Sequence, residues 1–174
     1  MLRAIRAEKQ RRAVEAERIR VERDAEGIRD RCVRLSGFVH EAWKVLEPTA
    51  VYQHNWHIDA ICEHLEAITF GRMKPRLLVN VPPGSSKSLL VSVLWQAWEW
   101  GPCGLQSNRF LTTAFNEGPV KRDTRKTRDL IQSEWFQALW PSVQLTRTAE
   151  MSFANSQTGT REGVPFGSLT SQRG

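Results

Sequence analysis

The stretch that decides the fold is Val79-Asn80-Val81-Pro82-Pro83-Gly84-Ser85-Ser86-Lys87-Ser88-Leu89-Leu90. Just upstream, residues 76–81 form a short, mostly apolar, β-branched run of the kind found in the middle of a parallel sheet. Pro82, Pro83 and Gly84 break that run, and Ser88 to Trp100 then reads as a helix with apolar residues on several faces, as a helix packed on more than one side requires. A strand that runs into a tight loop and on into a helix opening Lys-Ser is the architecture of a phosphate-binding loop. Loop amides and the partnerless N–H groups of a first helical turn converge on one spot and bind phosphate oxygens, with help from the helix dipole. Lys87 would add a point charge against the β- and γ-phosphates, and the Ser88 hydroxyl would ligate Mg²⁺.

The match to the G-x-x-x-x-G-K-[ST] pattern is imperfect. Val81 stands where the first glycine belongs and Ser86 where the second does. Pro82 and Pro83 cannot donate, so the donors are the amides of Gly84, Ser85, Ser86, Lys87 and Ser88, and Gly84 is the residue free to take a positive φ. The plainer reading of the stretch is an ordinary strand-to-helix turn with an exposed lysine.

Working outward, residues 109–115 read as the next strand after Gly101-Pro102 ends the helix, which makes strand, helix and strand a βαβ unit. Pro119 to Ile131 reads as a basic helix carrying Lys121, Arg122, Arg125, Lys126 and Arg128, and Ser133 to Trp140 as a shorter helix closed by Pro141. Such a basic face suits DNA phosphates or an acidic subunit edge, and equally a solvated surface over a buried stripe of Val120, Thr124, Thr127 and Ile131. Short runs at 143–146 and 152–154, followed by a polar turn at 155–159, read as a hairpin, with one more strand at 166–170.

Upstream of the loop, residues 1–35 lack proline and carry Val14, Val21, Ala25, Ile28, Cys32 and Leu35 at spacings that draw a narrow stripe on one helix face. This segment holds 11 Lys or Arg against 7 Asp or Glu. It reads as a long basic helix, 1–36, that docks on something, set apart from a domain spanning 37–174. Phe38 to Leu46 continues helically and stops at Glu47-Pro48, and a helix from Asn55 buries Ile58, Ile61, Cys62, Leu65 and Ile68 before Gly71 ends it.

Composition narrows the class. At 174 residues the chain suits one domain, and a net charge of +6 with a pI near 9.7 suits work near phosphate backbones. No apolar run reaches the roughly 20 residues that cross a bilayer, and the N-terminus lacks the apolar block of a secretory signal, so a cytoplasmic protein with no membrane role is expected. Cys32, Cys62 and Cys103 form no CxxC pair and read as reduced, buried thiols. His54, His57, Cys62 and His64 lack metal-site geometry, since His57 and Cys62 fall on different helix faces.

Taken in order, residues 38–43, 56–61, 77–88 with the Val-Pro-Pro-Gly core, 110–115, 133–136 and 158–162 resemble the N-terminal ATPase region of phage terminase large subunits. The resemblance covers nearly everything from about residue 37 onward and rests on joint order and spacing. It implies a P-loop NTPase fold of the RecA/ASCE type, with a parallel central sheet that is incomplete here, and an ATPase that drives double-stranded DNA into a procapsid. ATP and Mg²⁺ would be its cofactors. Its partners would be the small terminase subunit, the portal protein and further copies in a homo-oligomeric ring, in the cytoplasm of a bacterial host. The nucleotide site would take Pro83, Gly84, Ser85, Ser86, Lys87, Ser88 and Leu89, with Lys87 catalytic and Ser88 on the metal. Trp56 and His57 match the segment that flanks the adenine. Many members carry an arginine within the loop where this chain has Pro83 and Gly84, so Arg161 and Arg173 become the candidates for a finger acting on a neighbour's ATP.

The family also needs an acidic strand end for Mg²⁺ and a carboxylate that positions water. Neither follows Lys87, and the resemblance puts that strand just beyond Gly174, with the nuclease domain further on. The chain is therefore expected to hydrolyse ATP poorly by itself. Two other readings stand beside this one: a helicase-like P-loop ATPase of another kind, and a non-catalytic prophage remnant or adaptor that binds partners through its N-terminal helix.

Overall fold

The computed structural model describes residues 2–166, a mixed α/β arrangement in which three helices and a further helical run at 87–100 precede a four-stranded sheet. Helix α1 (Leu2–Cys32) holds its charged surface together with close pairs such as Arg12–Glu8 at 2.8 Å and Arg18–Glu22 at 2.8 Å. It kinks at Asp24, where φ −139° and ψ 37° leave the helical region. Its apolar stripe is buried from Val21 through Ile28 to Cys32, whereas Val14, one step earlier on the same stripe, is half exposed.

Helix α2 (Leu35–Leu46) starts without a cap from its own N-cap side chain. The buried carboxylate of Glu66, on α3 (Trp56–Thr69), fills that role by accepting from the Leu35 N–H at 2.7 Å and from Arg34 Nε at 2.8 Å. The N-terminal segment is thus no separate unit: Ile28 and Cys32 share one core with Leu35, Phe38, Leu65 and Trp98, and the boundary expected at 36/37 falls inside α2. The indole N–H of Trp98 donates to the Cys32 carbonyl at 2.9 Å, tying the helix that follows the loop to the end of α1.

That later helix is one continuous run: α4 (Lys87–Leu89), a π turn (Leu90–Leu94) and α5 (Trp95–Trp100). Beyond it come β1 (Arg109–Ala114), α6 (Glu117–Ile131), α7 (Glu134–Leu139), β2 (Leu145–Thr148), β3 (Ser152–Asn155) and β4 (Thr160–Pro165). The sheet order is β1-β4-β3-β2, with β1 and β4 parallel and the other two pairings antiparallel. The hairpin expected near residues 143–159 is present as β2 and β3, and the turn at Asn155 to Gly159 hands the chain to β4. The strand expected at 166–170 lies outside the described residues except for Phe166.

Two features depart from the sequence reading. Residues 77–81 alternate in burial as a strand does, with Leu77 and Val79 packed on the core and Leu78 in solvent, yet among the described residues they join no sheet. A pattern does not make a strand without a neighbouring ladder, and β1 pairs with β4. The parallel component is therefore β1 with β4, and no βαβ pair forms between residues 76–81 and β1 among the described residues. The second departure is β4 itself, whose Thr-Arg-Glu-Gly-Val-Pro sequence hides a strand because one of its inward positions is an arginine.

Candidate functional site: the loop from Pro82 to Leu89

The loop owes its shape to two left-handed residues. Gly84 takes φ +87° and Ser86 φ +55°, either side of Ser85, whose hydroxyl and N–H both turn back to the Pro82 carbonyl at 2.8 and 3.4 Å. Gly84 adopts that φ freely, whereas a left-handed serine costs roughly 1 kcal/mol and persists only where its surroundings hold it. Ser86 then opens the helix, its carbonyl accepting from the Leu90 N–H at 2.9 Å. The N–H groups of Gly84, Ser86, Lys87, Ser88 and Leu89 have no acceptor among the described residues. Lys87 and Ser88 are exposed, and Lys87 has no ion pair among the described residues. Partnerless amides in a left-handed turn before a helix form a concavity suited to anions.

The helix behind the loop is fixed from below. At its π turn the Ser92 carbonyl accepts from two side chains, Arg161 Nη2 at 3.0 Å and Thr127 Oγ1 at 3.3 Å. Arg161 Nε donates to Gln96 Oε1 at 2.6 Å, its Nη1 donates to Thr124 Oγ1, and its guanidinium lies 5.9 Å from the Phe153 ring centre. Burial pulls this guanidinium down to about 10, against the pull of nearby Asp123.

This placement bears on the candidate residues named from sequence. Arg161 is 1% exposed and committed to the interior, so in this conformation it offers no guanidinium to a neighbouring subunit. The physical reason is register: Arg161 lies opposite Phe110 on β1 and Phe153 on β3, on the face of β4 that meets α6 and the π turn. Arg173 lies outside the described residues. Trp56 stands in solvent at 76% exposure, edge-on to the half-buried His57, and no hydrogen bond or aromatic contact among the described residues links either to the loop. Pro83, Gly84, Ser85, Ser86, Lys87, Ser88 and Leu89 are contiguous along the loop and first helical turn.

The basic helix face is less available than its sequence suggests. Lys121 pairs with Glu117 and Glu150, Arg122 with Asp123, and Lys126 with Glu47, while Arg128 donates to the Ala149 carbonyl. Of the cluster, Arg125 has no ion pair among the described residues. Sequence reasoning missed the left-handed Ser86, although its position in the glycine slot of the loop pattern was the signal. The packing role of Arg161 was also missed, and its polar strand carried no such signal.

Compared with known proteins, the chain matches no family model, no curated protein and no solved structure.

Proposed function

We propose that residues 82–89 are the phosphate-gripping loop of an ATP site, in an ATPase region of the kind terminase large subunits use to move double-stranded DNA. The observation that carries the reading is Ser86: it holds the left-handed backbone that the phosphate-loop pattern assigns to glycine, directly before Lys87 and Ser88. A serine held in that conformation, with free amides on both sides, is explained by a ligand that uses those amides. The free N–H groups of Gly84, Ser86, Lys87, Ser88 and Leu89 would surround the phosphates. The Lys87 ammonium would neutralise charge between the β- and γ-phosphates, and the Ser88 hydroxyl would hold Mg²⁺. The packaging role, with the small terminase subunit, the portal and a ring of copies as partners, rests on the sequence resemblance alone.

Gripping phosphate is one half of such a site. The parallel strands β1 and β4 end at Ala114 and Pro165, so among the described residues neither places a carboxylate at its carboxyl end for metal or water. Binding without efficient turnover is the expected behaviour of this chain. Titration with MgATP tests it: the wild-type chain binds, Lys87→Ala weakens binding by about tenfold or more, equivalent to about 1.4 kcal/mol, and ATP turnover is negligible in both. Equal binding by the two proteins would overturn the nucleotide reading, and rapid lysine-dependent turnover would overturn the half-site reading.

A further inference from the structure

The helix that carries Lys87 and Ser88 is not α-helical throughout. Between α4 and α5 its ladder widens over Leu90–Leu94, and the Trp95 N–H reaches back five residues to the Leu90 carbonyl. Turns of this kind are rare, and they recur at functional sites. An α-helix advances by about 100° and 1.5 Å per residue. Closing the π turn into α geometry would therefore swing Lys87 and Ser88 by about that angle relative to α5. The turn decides which way the loop's two chemical side chains face.

Apolar packing holds this helix down without choosing between the two ladders. Leu90, Val93 and Leu94 are buried, and at the far end Trp100 packs on Phe110 and Phe153 at centroid distances of 5.7 and 5.8 Å. Such contact is non-directional. The directed bonds come from Arg161, whose three nitrogens meet three different elements: Nη2 the Ser92 carbonyl inside the turn, Nε the Gln96 side chain on α5, and Nη1 the Thr124 hydroxyl on α6. Thr127 Oγ1 is a second donor to the same carbonyl. A side chain inserted into a helical ladder is a known cause of departure from α geometry. Because Arg161 is 1% exposed, water does not compete for these acceptors.

We infer that Arg161 is a positioning residue for the loop: by holding the Ser92 carbonyl it keeps the π turn open and sets the direction of Lys87 and Ser88, without touching the ligand. This role rests on the reading of residues 82–89 as a phosphate site. Strand β4 thus governs the loop from behind.

Two measurements test it, one of them free of nucleotide. In proton NMR of the full chain, a contact between the Leu90 Hα and the Trp95 N–H marks the π turn, because an α-helix does not bring those atoms together. The wild type should show it. Arg161→Met, which fills the space without the donors, should lose it while the circular dichroism spectrum stays helical, and should weaken MgATP binding about tenfold or more. Arg161→Lys, one ammonium in place of a three-pronged fork, should weaken both in the same direction and decides the matter if Arg161→Met fails to fold. Glu41→Gln, which loosens α1 instead, should change neither. A Leu90–Trp95 contact that survived in the folded Arg161 variants, loss of that contact with MgATP binding intact, or equal weakening of binding in Glu41→Gln would each overturn the inference. A wild type that bound no MgATP would fell the nucleotide reading, and the NMR contact would still decide whether Arg161 holds the turn.

Discussion

Ser86 carries more of the functional argument than any other residue, and its backbone can be tested by stability and nucleotide binding together. At φ +55° its side chain is tolerated rather than favoured. Ser86→Gly should relieve the left-handed cost of roughly 1 kcal/mol while adding a similar entropy to the unfolded chain, so stability stays within about 0.5 kcal/mol and MgATP binding persists. Ser86→Val should lower stability by about 1–2 kcal/mol, since a β-branched residue resists positive φ, and should lose nucleotide binding with it. Urea denaturation beside MgATP titration reads both. A valine that bound MgATP as well as serine would remove the left-handed turn from the binding argument. The turn and the helix that starts beyond it were legible in the sequence because pattern and punctuation coincide there. The fate of Arg161 was not, because whether an arginine faces water or the core depends on which strand it joins and what packs over that strand.

Among the elements, α1 is held by a buried carboxylate rather than by apolar surface alone. Glu41, 2% exposed, accepts from Arg20 and from Arg31 Nε at 2.9 Å, with Lys44 Nζ at 3.5 Å, so two of its three cations come from α1. Burial raises its affinity for a proton, but hydrogen bonds from Arg20 and Arg31 outweigh that and hold the carboxyl below its ordinary 4.5. Because the folded value is the lower one, the stabilisation is complete above the unfolded value and fades as pH falls through the folded value. Removing the charge leaves cations that are themselves half exposed, so Glu41→Gln should cost about 1–3 kcal/mol, short of the figure for a fully buried pair. Urea midpoints followed from about pH 6 to pH 3 should converge for the wild type and Glu41→Gln at the acid end. A constant gap would remove the ionised latch. The sequence showed the helix and its stripe, from Val21 to Cys32, because a 3.6-residue period is written locally. It did not show the latch, since nothing in Glu41's neighbourhood marks a partner twenty-one positions earlier. For the same reason the boundary expected at 36/37 dissolves once Cys32 and Leu35 are seen to share a core.

Across the whole molecule, helices were readable and sheet pairing was not. Each helix from α2 to α7 announces itself by spacing and stops, as at Glu47-Pro48 and Pro141. Pairing depends on which distant segments meet, and the most strand-like run in the chain, 77–81, meets none among the described residues, while the unpromising Thr160–Pro165 sits between two partners. Arg161 makes that central position workable by joining β4 to α6 and to the π turn, a polar link between the sheet and the loop-bearing helix beside the apolar one that Trp100 makes to Phe110 and Phe153.

The isolation of residues 77–81 has a consequence on the clock of solvent exchange. Amides from Leu77 to Val81, bound to no carbonyl among the described residues, should take up deuterium within seconds, whereas those of β4, flanked on both sides, should hold their protium until larger openings occur. A deuterium map would therefore divide the body at the loop: a fast strip leading into Pro82, then a slow scaffold from Leu90 onward. Anything that bound in the loop would register as slowing spreading backward into the strip, a signal readable peptide by peptide without any measure of turnover.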